Sequence, residues 1–594
     1  MAGAFITIGN ELLGDALVSS VTVRQQLNRH WECEVVCRNT LDRRIPGEEA
    51  LGAALVVKHT GEDGSEVITF AGVVIDVALK YEIWGSYGCV LKARSSSWLI
   101  DHAPRFAHFG TSSLAIMAQQ LTSDAGGASS LLAEKTSPAE YVQYGETNWQ
   151  FLLRVTDDHG GWVRAGLNGI ELLNQFDNAI PLVFRAHDGL MEFSIAGDLR
   201  PVRVAAAQYD SAANLSSVLP EVSGSATLSG PGQKMGTATT GGAGSQQLLG
   251  WVSRSRNWTI TDMQLDAQNE AERGSGTAVT AAGVSRCQNL VAGGSVSLSN
   301  LGEADGTWYL TAVTHEWNHK EYTNHFEATA WSSWRDPVRP ETAIAPGVQV
   351  GRVVSNVDPQ QRGRLVVSLY WQNGASLLLA PMASLHSGAG FGLTIMPEAG
   401  DEVLVGFLDG DPERPAILGS LWNGVHQPPR QQFATGGESE DNLVKRLVTR
   451  SGIRIHITDT PGKQSISLAT PRSNNLLLSE RVTETDRPVL ALHTLGDIHL
   501  RATGRIHEKA ALRSHHVDGK IMHAISIRLS NQNGLSGAYL NEHLAGTLTD
   551  GSQYGNAIAD GQHFPSIPTG TCQFHFPKFL DFGPGDPPEG VQLT

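Results

Sequence analysis

The sequence predicts a mainly β protein of several domains, with a few helices set among many short strands. Three observations carry that prediction. There are 64 glycines in 594 residues while charged residues make up only 18 %, a balance that favours turns over long charged helices. Apolar residues, at 41 %, suffice for ordinary cores, and the length asks for roughly three to five of them. A period-two alternation of apolar and polar residues recurs in the C-terminal third, the spacing of strands that bury one face.

Residues 1–345 read as a mixed, β-rich region. Val67–Val77, Leu190–Ile195 and Trp308–Val313 have strand character. Ser112–Ser123 fits a helix with Leu114, Met117 and Leu121 on one side. A second helix begins at Thr147, where Thr147 and Gln150 have capping-box spacing and Trp149, Leu152 and Leu153 supply an apolar face. Gly160-Gly161 ends it. Ser223–Gly250 is rich in Gly, Ser, Thr and Ala and reads as a long loop or linker. Prolines between Asp336 and Pro346 mark a boundary. The next block, residues 346–425, holds five strand-like runs at Val348–Val354, Gly363–Tyr370, Ser376–Ala380, Glu402–Phe407 and Ala416–Leu421. Five short strands in so few residues predict a small barrel of the oligonucleotide/oligosaccharide-binding (OB) type.

From 426 to 530 the texture changes. Ile453, Ile455 and Ile457 alternate with Arg454, His456 and Thr458, and the same period returns at Ile466/Leu468, Leu476/Leu478, Leu490/Leu492, Ile498/Leu500 and Ile525/Ile527/Leu529. Short turns separate these runs, and nothing helical is available to cover their apolar faces. Two arrangements answer that problem: an ordinary β-sandwich, or three identical chains wound into a prism with one shared interior.

Several function classes are excluded. A net charge of −16 opposes nucleic-acid binding, which needs a basic face to release counterions. No apolar run reaches the roughly 18 residues of a membrane span, and the first residues lack the basic start of a secretory signal. Cys33, Cys37, Cys89, Cys287 and Cys572 are odd in number and scattered. Cys33 and Cys37 have no second pair to complete a zinc site, so all five read as reduced thiols.

Some motifs invite chemistry. His315-Glu316-Trp317-Asn318-His319 is a literal H-E-x-x-H, but its flanks read as strand. On a strand the two histidines stand about 13 Å apart and cannot share a zinc ion. His507, His515, His516 and His523, with Arg501, Arg505 and Arg513, read as solvated decoration of alternating strands rather than a metal site on a shared axis. Asp409, Asp411, Glu413 and Arg414 surround Gly410 and Pro412 and read as turn chemistry rather than an acid–base cluster. Neither a phosphate-binding loop nor a G-x-S-x-G elbow is present. No catalytic residue, cofactor or metal ligand is predicted.

Segments in a fixed order along the chain are recognisable. Gln143-Tyr144-Gly145-Glu146-Thr147 with Phe151-Leu152 and Arg154 comes first. Gly189–Ile195 and Thr314-His315 through Tyr322–Phe326 follow. The small barrel adds Gly363–Val367, Tyr370-Trp371, Met396–Val405, Phe407–Pro415 and Gly419–Asn423. Ser451-Gly452 through Asp459–Gly462, and Ser467–Pro471, come last. Together they resemble the VgrG spike proteins of type VI secretion, which are similar to a fusion of the hub and spike of T-even phage tails. The resemblance implies a hub of paired barrels (1–345), the OB-type barrel (346–425), a trimeric intertwined β-prism (426–530) and an extension (531–594). It further implies a homotrimer that meets a hexameric tail-tube protein and baseplate proteins and bears a tip protein of the proline-alanine-alanine-arginine (PAAR) repeat type. Effectors or an adaptor would ride at the C-terminal end. Such a protein assembles in the bacterial cytoplasm at the inner-membrane baseplate and is ejected through a target membrane, piercing it mechanically without catalysis.

Two departures stand beside the resemblance. No lysozyme fits between barrel and prism, and the residues from Asn531 onward match nothing. That extension packs Phe564, Phe574, Phe576, Phe579 and Phe582 among six prolines. Prolines bar a continued ladder and phenylalanines ask for burial, so the five phenylalanines are expected to bind a partner or dock. An enzymatic tip hydrolysing peptidoglycan or peptide, and the equivalent hub-spike of a phage tail or extracellular contractile particle, remain as alternatives.

Overall fold

The computed structural model describes residues 4–504, apart from 39–46, 134–140, 211–214, 224–248 (Met235 and Thr239 excepted), 255–259, 341–346, 373–376, 430–442, 481–487 and a few shorter stretches. Two compact units divide the chain, Met1–Gln427 and Pro428–Thr594.

The first unit is organised by one thirteen-stranded sheet. Its N-terminal half runs from Val18–Gln26 through Glu32–Cys37, Tyr87–Ser95, Glu66–Tyr81, Ala54–Thr60, Ala4–Ile8 and Glu11–Leu13. Its later half holds Gly306–Asn318, Tyr322–Thr329, Val279–Ser285 and Leu190–Gly197, with Ala179–Val183 and Ser295–Ser299 attached. The seam is the antiparallel pairing of Val18–Gln26 with Gly306–Asn318, from Ala312↔Gln26 to Asn318↔Ser20. Each half has its own core. Val21, Val35, Leu55, Phe70 and Leu91 fill the first, and Trp308, Leu310, Phe326 and Trp331 fill the second. The strands of the two expected barrels thus share one continuous ladder.

Both expected helices form. Leu114–Leu121 is capped by Ser113, whose side chain accepts from Ile116 N, and it buries Leu114, Met117 and Leu121. Asn148–Asp158 carries the full capping box: Gln150 N donates to Thr147 Oγ1 at 3.1 Å, and Thr147 N donates to Gln150 Oε1 at 3.0 Å. This satisfies two backbone donors that the first turn would otherwise leave unpaired.

A third helix, Ile260–Ala278, has no counterpart in the sequence reading. Its buried face is small, made of Met263, Ala267 and Ala271, and Gly274 and Gly276 look like breakers. At Gly274 the missing side chain is what the packing requires, because a Cβ there would lie 1.9 Å from the carbonyl oxygen of Pro201. The linker expected at Ser223–Gly250 falls mostly outside the described residues. It joins two strands, Leu215–Ser223 and Leu249–Arg254, that flank Arg203–Asp210 in a three-stranded sheet.

The small barrel has the five predicted strands, ordered Leu378–Pro381, Arg364–Leu369, Val348–Ser355, Glu402–Phe407 and Pro415–Leu421. It closes where Ala383 N donates to Ile417 O at 2.8 Å. Val353, Leu365, Val367, Leu378, Val403, Val405 and Ile417 fill it, alternating along each strand as a one-faced ladder demands.

In the second unit, Val444–Val448, Arg454–Thr458, Ser465–Ala469, Asn475–Ser479 and Val489–His493 form a five-stranded antiparallel meander in sequence order. Ile498 lies beyond its last strand. Leu500, Ile525, Ile527, Leu529, His507, His515, His516, His523, Arg505 and Arg513 lie outside the described residues, as does the extension with Phe564, Phe574, Phe576, Phe579 and Phe582.

His315 lies wholly buried near the seam, its Nδ1 2.7 Å from the hydroxyl of Tyr322. Burial pushes its pKa down to about 3, with the neighbouring His59 adding to the effect. A folded-state value below the unfolded one means the neutral ring stabilises the fold above about pH 6.5, and that stabilisation is lost as pH falls toward 3. Urea unfolding of the first unit should therefore show about 2 kcal/mol less stability at pH 5 than at pH 7 from this group alone. In His315→Phe that pH-dependent component should disappear.

Candidate functional site: an uncovered apolar sheet and a buried joint

The meander of the second unit sorts most of its side chains by face. Register sets Leu447, Ile455, Leu468, Leu476 and Leu492 in one cross-strand row, and Lys445, Ile457, Ile466, Leu478 and Leu490 in the next. Strand alternation puts both rows on the same face. The opposite face carries Val444, Thr458, Ser465, Ser479 and Val489 in one row, and Arg446, His456, Ser467, Leu477 and Ala491 in another. Alternation therefore holds as the sequence predicts, but the apolar residues are the exposed ones. Ile457 is 36 % exposed, Ile466 44 %, Leu478 45 % and Leu490 70 %. Monomeric proteins rarely leave so continuous an apolar face wet.

A second construction, inside the first unit, ties the motif at Gln143–Thr147 to the small barrel. Gly145, at φ +65°, makes a bulge in the Val142–Glu146 strand, and the bulge sends neighbouring side chains to different tasks. Gln143 turns inward and donates to Glu146 O at 2.9 Å and to Asn148 Oδ1 at 3.1 Å. Tyr144 reaches the barrel, where its hydroxyl accepts from Gln349 Nε2 at 2.6 Å and its ring packs edge-on against Trp371. Phe106 lies against both rings. Desolvation raises the Tyr144 pKa, so its hydroxyl stays a neutral donor and acceptor. Val142 itself joins the barrel core.

Glu146 accepts two hydrogen bonds from Arg154, from Nε at 2.8 Å and Nη2 at 2.9 Å. Arg154 Nη2 also donates to Val142 O at 2.9 Å. The carboxylate of Glu413, contributed by the barrel, stands 3.6 Å from Arg154 Nη1 and 3.4 Å from Val142 N. Arg154, Glu146 and Glu413 are all nearly buried. The sequence named both motif segments but not their meeting; residues 142–154 and 407–415 carry no mark of contact.

The turn at Leu408–Arg414 forms as expected. Asp411 Oδ1 accepts from Glu413 N at 2.9 Å, and Arg414 N donates to Asp411 O at 2.9 Å. Its acidic residues diverge: Asp409 stands 3.8 Å from Arg414 near solvent, while Glu413 turns into the joint. The H-E-x-x-H segment lies on and just past the Gly306–Asn318 strand. His315 points into the core, Glu316 is exposed, and His319 contacts Arg38, so no shared ligand site arises. Among the described residues, no helix is long and apolar enough to cross a membrane.

The family model of the type VI secretion system/phage-baseplate injector OB domain matches residues 349–422, the small barrel. The type VI secretion system spike protein VgrG5 of Pseudomonas aeruginosa is 31 % identical over 159 residues, which is 22 % of this chain and 20 % of that protein. Its paralogue VgrG4b is 25 % identical over 257 residues, 37 % of this chain and 31 % of the relative.

The small barrel matches the injector OB-domain family, and parts of the chain are similar to VgrG spike proteins. Among solved structures, a chain of the Francisella PdpA–VgrG complex in its half-lidded form superposes with a TM-score of 0.54 at 10 % identity, covering 83 % of this chain and 88 % of that one. This likeness concerns the fold. The actin cross-linking toxin VgrG1 of Vibrio cholerae is 23 % identical over 203 residues, 18 % of its length. In sequence, the chain spans about a fifth to a third of the Pseudomonas relatives it matches.

The joint makes a sharp expectation. Replacing Arg154 by Met takes the guanidinium away from two nearly buried carboxylates and should cost about 3–5 kcal/mol of first-unit stability. Glu413→Gln, which keeps an acceptor for Val142 N, should cost about 1 kcal/mol. Urea unfolding followed by tryptophan fluorescence reads both. Equal effects from the two variants would contradict the assignment of Arg154 as the centre of the joint.

Proposed function

We propose that this chain is a structural puncturing spike at the tip of a contractile, phage-tail-like injection machine of the type VI secretion kind, and that it works as a homotrimer. The observation that carries the proposal is the bare apolar face of the second unit. Three such sheets, each with two in-register rows of Ile and Leu and Lys445 at the end of one, form a closed prism when their apolar faces turn to a common axis. The rows that carry Thr458, Ser465, Ser479, Arg446, His456 and Ser467 then face water. Interchain ladders in such a prism leave no free sheet edge, which suits a body that bears axial load.

The matched relatives named as spike proteins support the same role. On this reading the first unit meets a hexameric tail-tube protein and baseplate proteins in the cytoplasm, at the inner membrane. The C-terminal end then carries a PAAR-type tip protein, an effector or an adaptor outward through a target membrane. No catalytic step is assigned to the chain. The phenylalanines at 564, 574, 576, 579 and 582 are proposed as the partner-binding element, since their burial needs a surface that prolines keep them from building as a ladder. The domain division at 345, 425 and 530 belongs to the same proposal.

Substitution in the middle of the bare face tests it. Ile466→Lys places a charge where three chains converge and should abolish assembly in sedimentation velocity, shifting the chain to monomer. Melting of the first unit should stay within about 0.5 kcal/mol of the parent, as for a distant surface change. Unchanged assembly in Ile466→Lys would place the interface elsewhere.

A further inference from the structure

The five cysteines look unrelated in the sequence, yet the sheet brings two of them together. Glu32–Cys37 pairs antiparallel with Tyr87–Ser95 through Glu32↔Arg94 to Val36↔Val90. One step further, the same register sets Cys37 directly opposite Cys89. Both are buried in the N-terminal core and both are free thiols, and their side chains hydrogen-bond to each other. Cys33, two pleats away on the same strand, faces Ala93 and Val23 instead.

We propose that Cys37 and Cys89 are a redox pair that closes to a cross-strand disulfide when the protein meets a disulfide oxidant. Directly opposed residues hold their Cβ atoms about 4.5–5.5 Å apart, and a disulfide needs about 3.5–4.5 Å. The shift required is therefore about 1 Å. Cys37 is the last residue of its strand, where such a shift disturbs few ladder bonds.

The hydrogen bond from Cys37 holds the Cys89 thiol below its ordinary range and pushes the Cys37 thiol up. Cys89 is thus the first nucleophile. Its thiolate attacks one sulfur of a small-molecule or oxidoreductase disulfide, breaking that S–S bond and expelling one thiolate. The Cys37 sulfur, on losing its proton, then displaces the second thiolate from the mixed disulfide. Two protein thiols and one disulfide become one protein disulfide and two small thiols. The bond closes a loop of about 50 residues, which favours the folded state by restricting the unfolded chain. On the spike reading, assembly occurs among reduced thiols and delivery ends where disulfides persist, so closure would follow ejection. The chemistry of the pair does not depend on that reading.

The test uses the purified full chain, reduced and then exposed to oxidised glutathione at mildly alkaline pH, both at room temperature and just below the melting point. Intact mass should fall by two hydrogens. A non-reducing peptide map should join the Cys37 and Cys89 peptides, and the first unit should melt several degrees higher until dithiothreitol reverses the gain. Cys37→Ser should abolish the link, while Cys33→Ser should leave it intact. A glutathione adduct without closure, a link that uses Cys287 or Cys572, or thiols that persist unchanged just below the melting point each overturn the proposal. A monomeric chain that still forms the link would leave it standing and refute only the trimeric spike.

Discussion

An antiparallel sheet with one apolar face must bury that face, and the second unit of this chain has nothing of its own described with which to do so. One row of Ile and Leu runs across all five strands and the next across four, with Lys445 on the first strand, so the exposed area is continuous rather than scattered. Full burial of one such side chain contributes about 1.5–3 kcal/mol. Half-exposed residues retain a good part of that to gain. Polar residues on the other face forbid the opposite packing, since inverting the sheet would bury Arg446, His456 and Ser467. Register and alternation thus fix which side of the sheet is left to be covered.

The first unit answers a different demand. Its barrel is continuous with the preceding region through packing rather than through chain connection alone. Val142 lies in the barrel core, Tyr144 sits against Trp371, and the Arg154–Glu146 pair is shielded from water with Glu413 beside it. A buried ion pair is weak evidence for net stability, but breaking either half is costly because it leaves a charge uncompensated. Here it fixes the orientation of the bulged strand, so that Tyr144 and Gln143 point in the directions the joint needs.

Much of this was legible in the sequence, and the limits have physical reasons. The capping box at Thr147, the five barrel strands and the alternating meander all rest on local signals of period and turn chemistry, which survive in one chain read alone. Ile260–Ala278 was not legible because its buried face is alanine and its interior carries glycines that propensity counts against a helix. Tertiary contact with Pro201 turns Gly274 from a defect into a fit. The joint was hidden for another reason: Arg154 and Glu413 are 259 positions apart, and pairing over that distance leaves no periodic trace. The Cys37–Cys89 pairing was concealed likewise, since only strand register brings the two together. The H-E-x-x-H segment shows the converse. A motif built for a helix, placed on a strand, sends its first histidine into the core and its glutamate to solvent.

The most direct measurement is the native mass of the purified full-length chain at micromolar concentration. Three chains per particle, persisting on dilution and lost only with the structure of the second unit, is the predicted result. A stable monomer with a folded second unit would show that the apolar face is covered from within the chain, and would contradict the account.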